Sequence, residues 1–306
     1  MNVSCAHIRS ERMEGAESVE PEGSEERSLP VERDLITEVQ DLGDLGFEKA
    51  EYAPGVGGSF LKALREEKGR LCIYKCPDFD PELGFVGHEG VNELVAARLM
   101  KKLGIRGADC SLIHGKVTLG TETYETWVTR SETFLEEGQD KISLELFYEG
   151  EAKEGETPLT FCIRRGFEDD IYRMLILDFL ILNRDRHGKN LEVIRDRKNR
   201  KFSLAPLFDQ GLCLLFRCRS EKDMELMDTS ADRPVHCFVG GRSPMENLKL
   251  IPPEKWPKLN PLTDEDIRDI LQGLDAVMPQ IWMEKAKEML QKRYALLQEV
   301  MLQQLL

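Results

Sequence analysis

The sequence has no apolar stretch long enough to cross a membrane: its longest run, Met174 to Leu182, is broken by Asp178 and falls short of the roughly 18 residues a spanning helix needs. It has no Lys/Arg cluster dense enough to neutralise a run of phosphates, and 42 Lys+Arg against 56 Asp+Glu leave a net charge of −14, so direct nucleic-acid binding is not expected. Near the N-terminus, Arg9, Glu11, Arg12 and Glu14 stand where a secretory signal would need its apolar core. The expectation is a cytoplasmic protein with no membrane partner. No CxxC pair occurs among the eight cysteines, and the nearest approach to a metal signature is Cys213 and Cys218 followed by His236 and Cys237. In a reducing compartment these cysteines read as structural thiols. No internal repeat is present.

What is there divides into three parts. Over residues 1–45, twelve acidic residues meet four basic ones, with few apolar residues among them. Residues 1–33 are expected to be a disordered acidic leader, because they cannot bury enough surface to offset the entropy of ordering. From Phe47 the character changes: Ala53-Pro54-Gly55-Val56-Gly57-Gly58-Ser59 is a glycine-rich turn, and Leu71 to Lys75 is a β-branched and aromatic run ending on a lysine. Val91, Leu94, Val95, Leu99 and Leu103 recur at helical spacing before Gly104, and two strands, Cys110 to Ile113 and Tyr124 to Thr129, are joined through Gly115 and Gly120. This predicts a β-rich lobe with one helix over 34–130. A mainly helical lobe over 131–306 opens with a polar span from Glu132 to Pro158 and a buried helix from Ile171 to Leu182. A hairpin around Arg195 to Lys201 follows. Thr263 with Asp266 caps a helix through Leu274, and a last helix runs from about Pro279 with its apolar spacing turned to the core. The fold class is α+β and bilobal.

The sharpest signal is Asn183-Arg184-Asp185-Arg186-His187-Gly188-Lys189-Asn190, followed after the hairpin by Phe208-Asp209-Gln210-Gly211. Asp185 and Asn190 have the D-x-x-x-x-N spacing of a kinase catalytic loop, and Asp209-x-Gly211 that of a metal-binding D-x-G. A phosphoryl acceptor hydroxyl needs a carboxylate to orient it and take its proton, and Mg²⁺ needs hard oxygen ligands that leave room for ATP phosphates. Asp185 fits the first role; Asn190 and Asp209 fit the second. In the first lobe Lys75 is placed to contact α- and β-phosphates, with Glu93 as its ion-pair partner and Glu89, one turn earlier, as the competitor. Gly57, Gly58 and Ser59 would cover the nucleotide, and Val128-Thr129-Arg130-Ser131 is the expected hinge against adenine. His187 has two readings, contact with the phosphates or closure of the loop by a side-chain hydrogen bond.

The catalytic segment, the approach Leu204-Ala205-Pro206-Leu207-Phe208-Asp209 and the order of elements resemble the HipA-like serine/threonine kinases, toxins of bacterial toxin–antitoxin modules. The resemblance runs from about Phe47 to the C-terminus. It implies a protein-kinase-like fold related to phosphatidylinositol kinases, Asp185 as base, His187 and Asn190 near phosphates and metal, Asp209 on Mg²⁺ and Lys75 on ATP. It further implies a protein substrate, an antitoxin as possible partner, and a regulatory serine in the glycine-rich loop. Ser59 is that candidate, with Arg186 and Lys189 to receive its phosphate. Two departures stand out: only the acidic leader precedes the glycine loop, as in short, core-only members, and Arg184 stands where a small polar residue is expected. A lipid or small-molecule kinase and a non-catalytic nucleotide-binding module are the alternatives.

Overall fold

The computed structural model describes residues 34–49 and 60–305. The acidic leader and the glycine-rich turn, with Gly57, Gly58 and Ser59, lie outside the described residues. The chain runs through β1 (Leu35–Asp41), β2 (Glu48–Lys49), β3 (Leu61–Glu67), β4 (Arg70–Lys75), β5 (Phe79–Asp80), β6 (Gly84–Phe85), α1 (Glu89–Leu103), β7 (Ser111–Leu119) and β8 (Glu122–Glu132). It continues through β9 (Gln139–Ser143), α2 (Leu144–Glu151), α3 (Pro158–Arg164), α4 (Glu168–Leu180), β10 (Asp185–Arg186), β11 (Glu192–Asp196) and β12 (Lys201–Leu204). The last elements are α5 (Glu221–Glu225), β13 (His236–Cys237), α6 (Pro244–Leu248), α7 (Asp264–Leu271) and α8 (Gln280–Leu305).

Six strands form one sheet in the order β1-β7-β8-β4-β3-β2, antiparallel except for the parallel β1–β7 edge. β3 reads Leu-Lys-Ala-Leu-Arg-Glu-Glu, a helix-prone composition, yet it is a strand. The cause is the turn that follows: Lys68 (φ 51°) and Gly69 (φ 79°) are both left-handed, the geometry of a two-residue hairpin that matches strand twist, and it locks Lys62 opposite Lys75. One sheet face carries Cys72, Tyr74, Ile113 and Val128 and is covered by Leu42, Leu45 and Phe47. α1 lies on the other face, where a Cβ at Gly90 would stand 3.0 Å from both Leu112 and Thr129. Gly104 ends α1 in the left-handed conformation expected of it.

The larger core joins α1 to α4 and α8 through residues such as Leu94, Leu99, Phe179, Leu180, Trp282 and Leu290. α8 turns Trp282, Ala286, Met289, Leu290 and Leu297 inward, the core packing that its spacing implied. Thr263 and Asp266 form the expected capping box, but α7 stops at Leu271 because Gly273 takes φ 78°, and Leu274 opens a separate 3₁₀ turn. The polar span after Glu132 holds β9 and α2. β9 completes a three-stranded sheet, β12-β11-β9, in which β11 and β12 are the anticipated hairpin. Among the described residues no helix is long and apolar enough to cross a membrane.

Candidate active site

Asp178, the charge that interrupts the apolar run of α4, organises the segment after it. Arg186, 1% exposed, donates to both Asp178 oxygens (Nε 2.9 Å, Nη2 2.8 Å), and its Nη1 reaches the Asn190 and Phe208 carbonyls at 3.3 and 3.2 Å. Asn183 Nδ2 donates to the same carboxylate at 2.9 Å. A buried charge pair of this kind persists only when its remaining donors are matched, as they are here. Arg186 is thus committed to the core, which corrects the expectation that it would receive a phosphate from Ser59. Its work is to tie the 183–190 loop to the segment that carries Asp209.

That tie leaves Asp185 half-buried with its backbone fixed. Its N–H donates to Asn183 Oδ1 at 3.3 Å, and its carbonyl accepts from Asn190 Nδ2 at 2.9 Å. His187 Nδ1 accepts from the Lys189 N–H at 3.2 Å, the loop-closing hydrogen bond of its quieter reading. An acceptor Nδ1 places the ring proton on Nε2, which lies 3.6 Å from Asp185 Oδ2. Gly188 is confined as well: a Cβ there would lie 2.7 Å from Glu145 Cβ and 2.8 Å from the Phe238 ring.

Across the cleft, Lys75 Nζ donates to Glu93 Oε1 at 2.6 Å and to Asp209 Oδ1 at 2.5 Å. Burial would push this ammonium down; the Asp209 and Glu93 carboxylates outweigh it and hold the group above its ordinary value. Burial likewise works against the Asp209 carboxylate, and Lys75, then Lys62, hold it below its ordinary value. Glu89, the competing partner, instead accepts from the Asp78 N–H at 3.2 Å. α1 also sets the D-x-G turn directly. Asn92 Nδ2 donates to the Gly211 and Cys213 carbonyls at 2.8 and 3.0 Å, and a Cβ at Gly211 would come within 3.0 Å of Glu89 Cβ and 3.2 Å of Glu93 Oε1.

These groups share one cleft of about 380 Å³ that Lys75, Glu93, Asp185, His187, Asn190 and Asp209 all line. Val128 and Arg130 are not brought to it. They lie within β8, where Arg130 stands opposite Ser111 of β7 and Tyr74 of β4, and Val128 opposite Ile113 of β7. Strand alternation also turns their side chains away, Val128 into the sheet's second core and Arg130 onto Glu67. Thr129, Ser131, Thr133 and Phe134 face the cleft instead. Lys62 is a further cleft lysine, pushed down by burial and opposed by Asp209. Its signal was the two-residue turn that pairs it with Lys75; Asn92 and Asp178 carried no motif that could have singled them out.

The donor set fits Mg²⁺ held jointly with phosphates. Asn190 uses its amide nitrogen on Asp185 and keeps its oxygen, and Asp209 keeps Oδ2 while Oδ1 meets Lys75. Among the described residues no group of three or more His, Cys, Asp or Glu side chains could hold an ion without such help.

No family model matches the chain, and no curated protein matches it in sequence. Among solved structures it shares its fold with a kinase: the proinflammatory kinase CtkA of Helicobacter pylori superposes with TM-score 0.58 over 86% of this chain and 97% of that one, at 17% identity. A chain from the HipA–HipB–operator DNA complex of Shewanella oneidensis gives TM-score 0.39 over 81% of this chain and 58% of its own, at 13% identity. The mixed α and β, kinase-like fold expected from the sequence is therefore the fold of this protein.

Proposed function

We propose that this chain is an ATP- and Mg²⁺-dependent phosphotransferase, a serine/threonine protein kinase of HipA-like type, divided near residue 130 into a β-rich and a mainly helical lobe. The observation that carries this reading is the Lys75 bridge between Glu93 and Asp209, set in the same cleft as Asp185 and Asn190. Glu93 holds Lys75 where the ammonium can exchange Asp209 for α- and β-phosphate oxygens, and Lys62 adds positive charge on the same wall. Bound Mg²⁺ would neutralise phosphate charge, held by the Asn190 amide oxygen and the Asp209 carboxylate. Asp185 orients the acceptor hydroxyl and takes its proton, while His187 Nε2–H steadies the carboxylate from beside it.

The acceptor is proposed to be a protein in the cytoplasm, with an antitoxin as possible partner and neither nucleic acid nor membrane as direct partner. Labelled ATP, Mg²⁺ and a cell lysate test this: label should enter protein, and label in lipid would move the acceptor to another class. Asp185→Asn should lose about a hundred- to ten-thousand-fold in transfer while binding nucleotide as wild type does, since it acts on the acceptor. A variant retaining more than about a tenth of wild-type turnover would remove Asp185 as the base.

A further inference from the structure

Glu192, at the start of β11, lines the cleft with one carboxylate oxygen that the proposed chemistry leaves idle. Oε1 accepts from Lys141 Nζ of β9 at 2.8 Å. Oε2 is buried, and among the described residues no hydrogen-bond donor meets it. The backbone beneath is fixed, because Glu192 stands opposite Ser143 of β9 and its carbonyl accepts from the Ala205 N–H at 2.8 Å. Lys75 is turned onto Glu93 and Asp209, and Lys189 toward Glu145 at 3.9 Å, so neither serves it. A carboxylate oxygen taken out of water without a donor destabilises the protein until something brings one.

The place of Glu192 along the cleft decides which donor that is. Leu191, between Asn190 and Glu192, is extended (φ −126°, ψ 129°) and turned into the core at 3% exposed. Alternation on an extended chain returns Glu192 to the cleft about 6.6 Å beyond Asn190, at roughly 3.3 Å per residue. Through Lys141 it meets an aromatic pair: Lys141 Nζ stands 5.8 Å from the Phe134 ring, and Phe134 packs on Phe208 at 6.0 Å. Asn190 belongs to the phosphate end of the cleft with Lys75 and Asp209, whereas Phe134 and Phe208 offer faces on which a base can stack. A nucleotide runs phosphate, sugar, base, and Glu192 falls at the sugar.

We infer that Glu192 selects the sugar: Oε2 accepts the ribose 2′-hydroxyl, so the cleft takes a ribonucleotide in preference to a 2′-deoxyribonucleotide. An ionised carboxylate is an acceptor only, so its open oxygen asks for an O–H and repels a phosphate. A hydroxyl donating to it makes a charge-assisted hydrogen bond, the contact that acidic side chains make with the ribose 2′-hydroxyl in dinucleotide-binding folds. Deoxyribose brings a C–H to the same point and leaves the buried oxygen bare, and a site with a polar group left unpaired rejects the analogue that leaves it so. Lys141 is the positioning residue, since by holding Oε1 it fixes the carboxylate with Oε2 free. The inference rests on the nucleotide site of the kinase reading, and on no phosphoryl transfer.

Calorimetric titration of the full-length protein with ADP, 2′-deoxy-ADP and 3′-deoxy-ADP in Mg²⁺ reads this without turnover, because a diphosphate has no γ-phosphoryl group to transfer. Wild type should bind ADP at least about tenfold more tightly than 2′-deoxy-ADP, and 3′-deoxy-ADP within about threefold of ADP. Glu192→Leu, which removes the acceptor, should bind ADP and 2′-deoxy-ADP alike. Glu192→Gln, which keeps the shape and loses the charge, should show a preference at least about threefold smaller than wild type and serves if the leucine variant does not fold. A merely structural loss would weaken both nucleotides by one factor and leave their ratio in place. Equal affinity of wild type for ADP and 2′-deoxy-ADP, a preference that follows the 3′-hydroxyl instead, or an undiminished ratio in Glu192→Gln would each overturn the role of Glu192. Sugar preference in a protein that transfers no phosphate to any acceptor would uphold it and remove the kinase reading, whereas a protein that binds none of the three nucleotides would overturn both.

Discussion

Asp209 sits at φ 58°, in the left-handed region that non-glycine residues seldom adopt and that Asp and Asn tolerate best. In the proposed function the requirement there is double, a carboxylate to hold Mg²⁺ and a side chain that accepts the backbone, which is why Asp209→Asn is the informative change. Asparagine keeps the backbone and loses the charge, so the gain in ATP affinity that Mg²⁺ confers should fall by at least about tenfold, with metal-free nucleotide affinity preserved. Calorimetry with and without Mg²⁺ reads this directly; an undiminished Mg²⁺ effect would take Asp209 out of the site. At this scale the sequence was legible where spacing singled residues out, as with Asp185, Asn190 and Asp209, which line one cleft. It was illegible where a residue's face decides. Val128 and Arg130 look as suitable as Thr129 and Ser131 until pairing on both sides of β8 fixes which pair meets the cleft. Arg186 shows the same limit, since a charged residue in a polar loop gives no sign of being 1% exposed against Asp178.

Among the elements, α1 carries the most consequence for the site. Its Glu93 holds Lys75, its Asn92 bonds two carbonyls of the D-x-G turn, and Arg98 forks onto Asp34 while donating to the Ile270 and Gln272 carbonyls. Asn92→Ala should leave the Gly211 carbonyl without its donor, while the Cys213 carbonyl keeps the Phe216 N–H, and cost about 1–3 kcal/mol for the unsatisfied group. Urea unfolding should show a lower midpoint with an unchanged slope, and Mg²⁺-dependent nucleotide affinity should fall with it because Gly211 follows Asp209. A loss of stability with an unaltered nucleotide site would mean that Asn92 does not position the turn. α1 itself was legible from its apolar period and from Gly104. β3 was not, since its composition favours helix and only the Lys68-Gly69 turn and its pairing with β4 override that preference. β9 and α2 hid in a polar span because β9 is an edge strand with half-buried positions, and α2 buries only Leu144 and Phe147.

For the molecule as a whole, the sheet separates the two cores, α1 lies on the side of the larger one, and His88 stands at the N-terminal end of α1. Its ring lies edge-on to Trp282 of α8, 6.2 Å between centroids, and its Nε2 is buried without a partner. Burial pushes the imidazole down to about 4, with a hydrogen bond to the Leu215 backbone opposing in part. An unfolded chain takes up that proton near pH 6.5, while the folded one does not until about pH 4. The stability His88 confers is therefore complete above pH 6.5 and drains away as pH falls toward 4, by about 3 kcal/mol at roughly 1.4 kcal/mol per pH unit. Glu89 works in the opposite direction: burial raises its carboxyl, so the folded state gains protons ahead of the unfolded one as pH drops, and stability is added. The slope of wild type is the sum of the two, and His88→Leu isolates the histidine. Denaturant unfolding between pH 7 and 4 should show a loss about 3 kcal/mol smaller in the variant than in wild type, whatever their difference at pH 7. Parallel curves would mean that the ring takes its proton in place, and that the junction of sheet, α1 and α8 opens to water well before the protein unfolds.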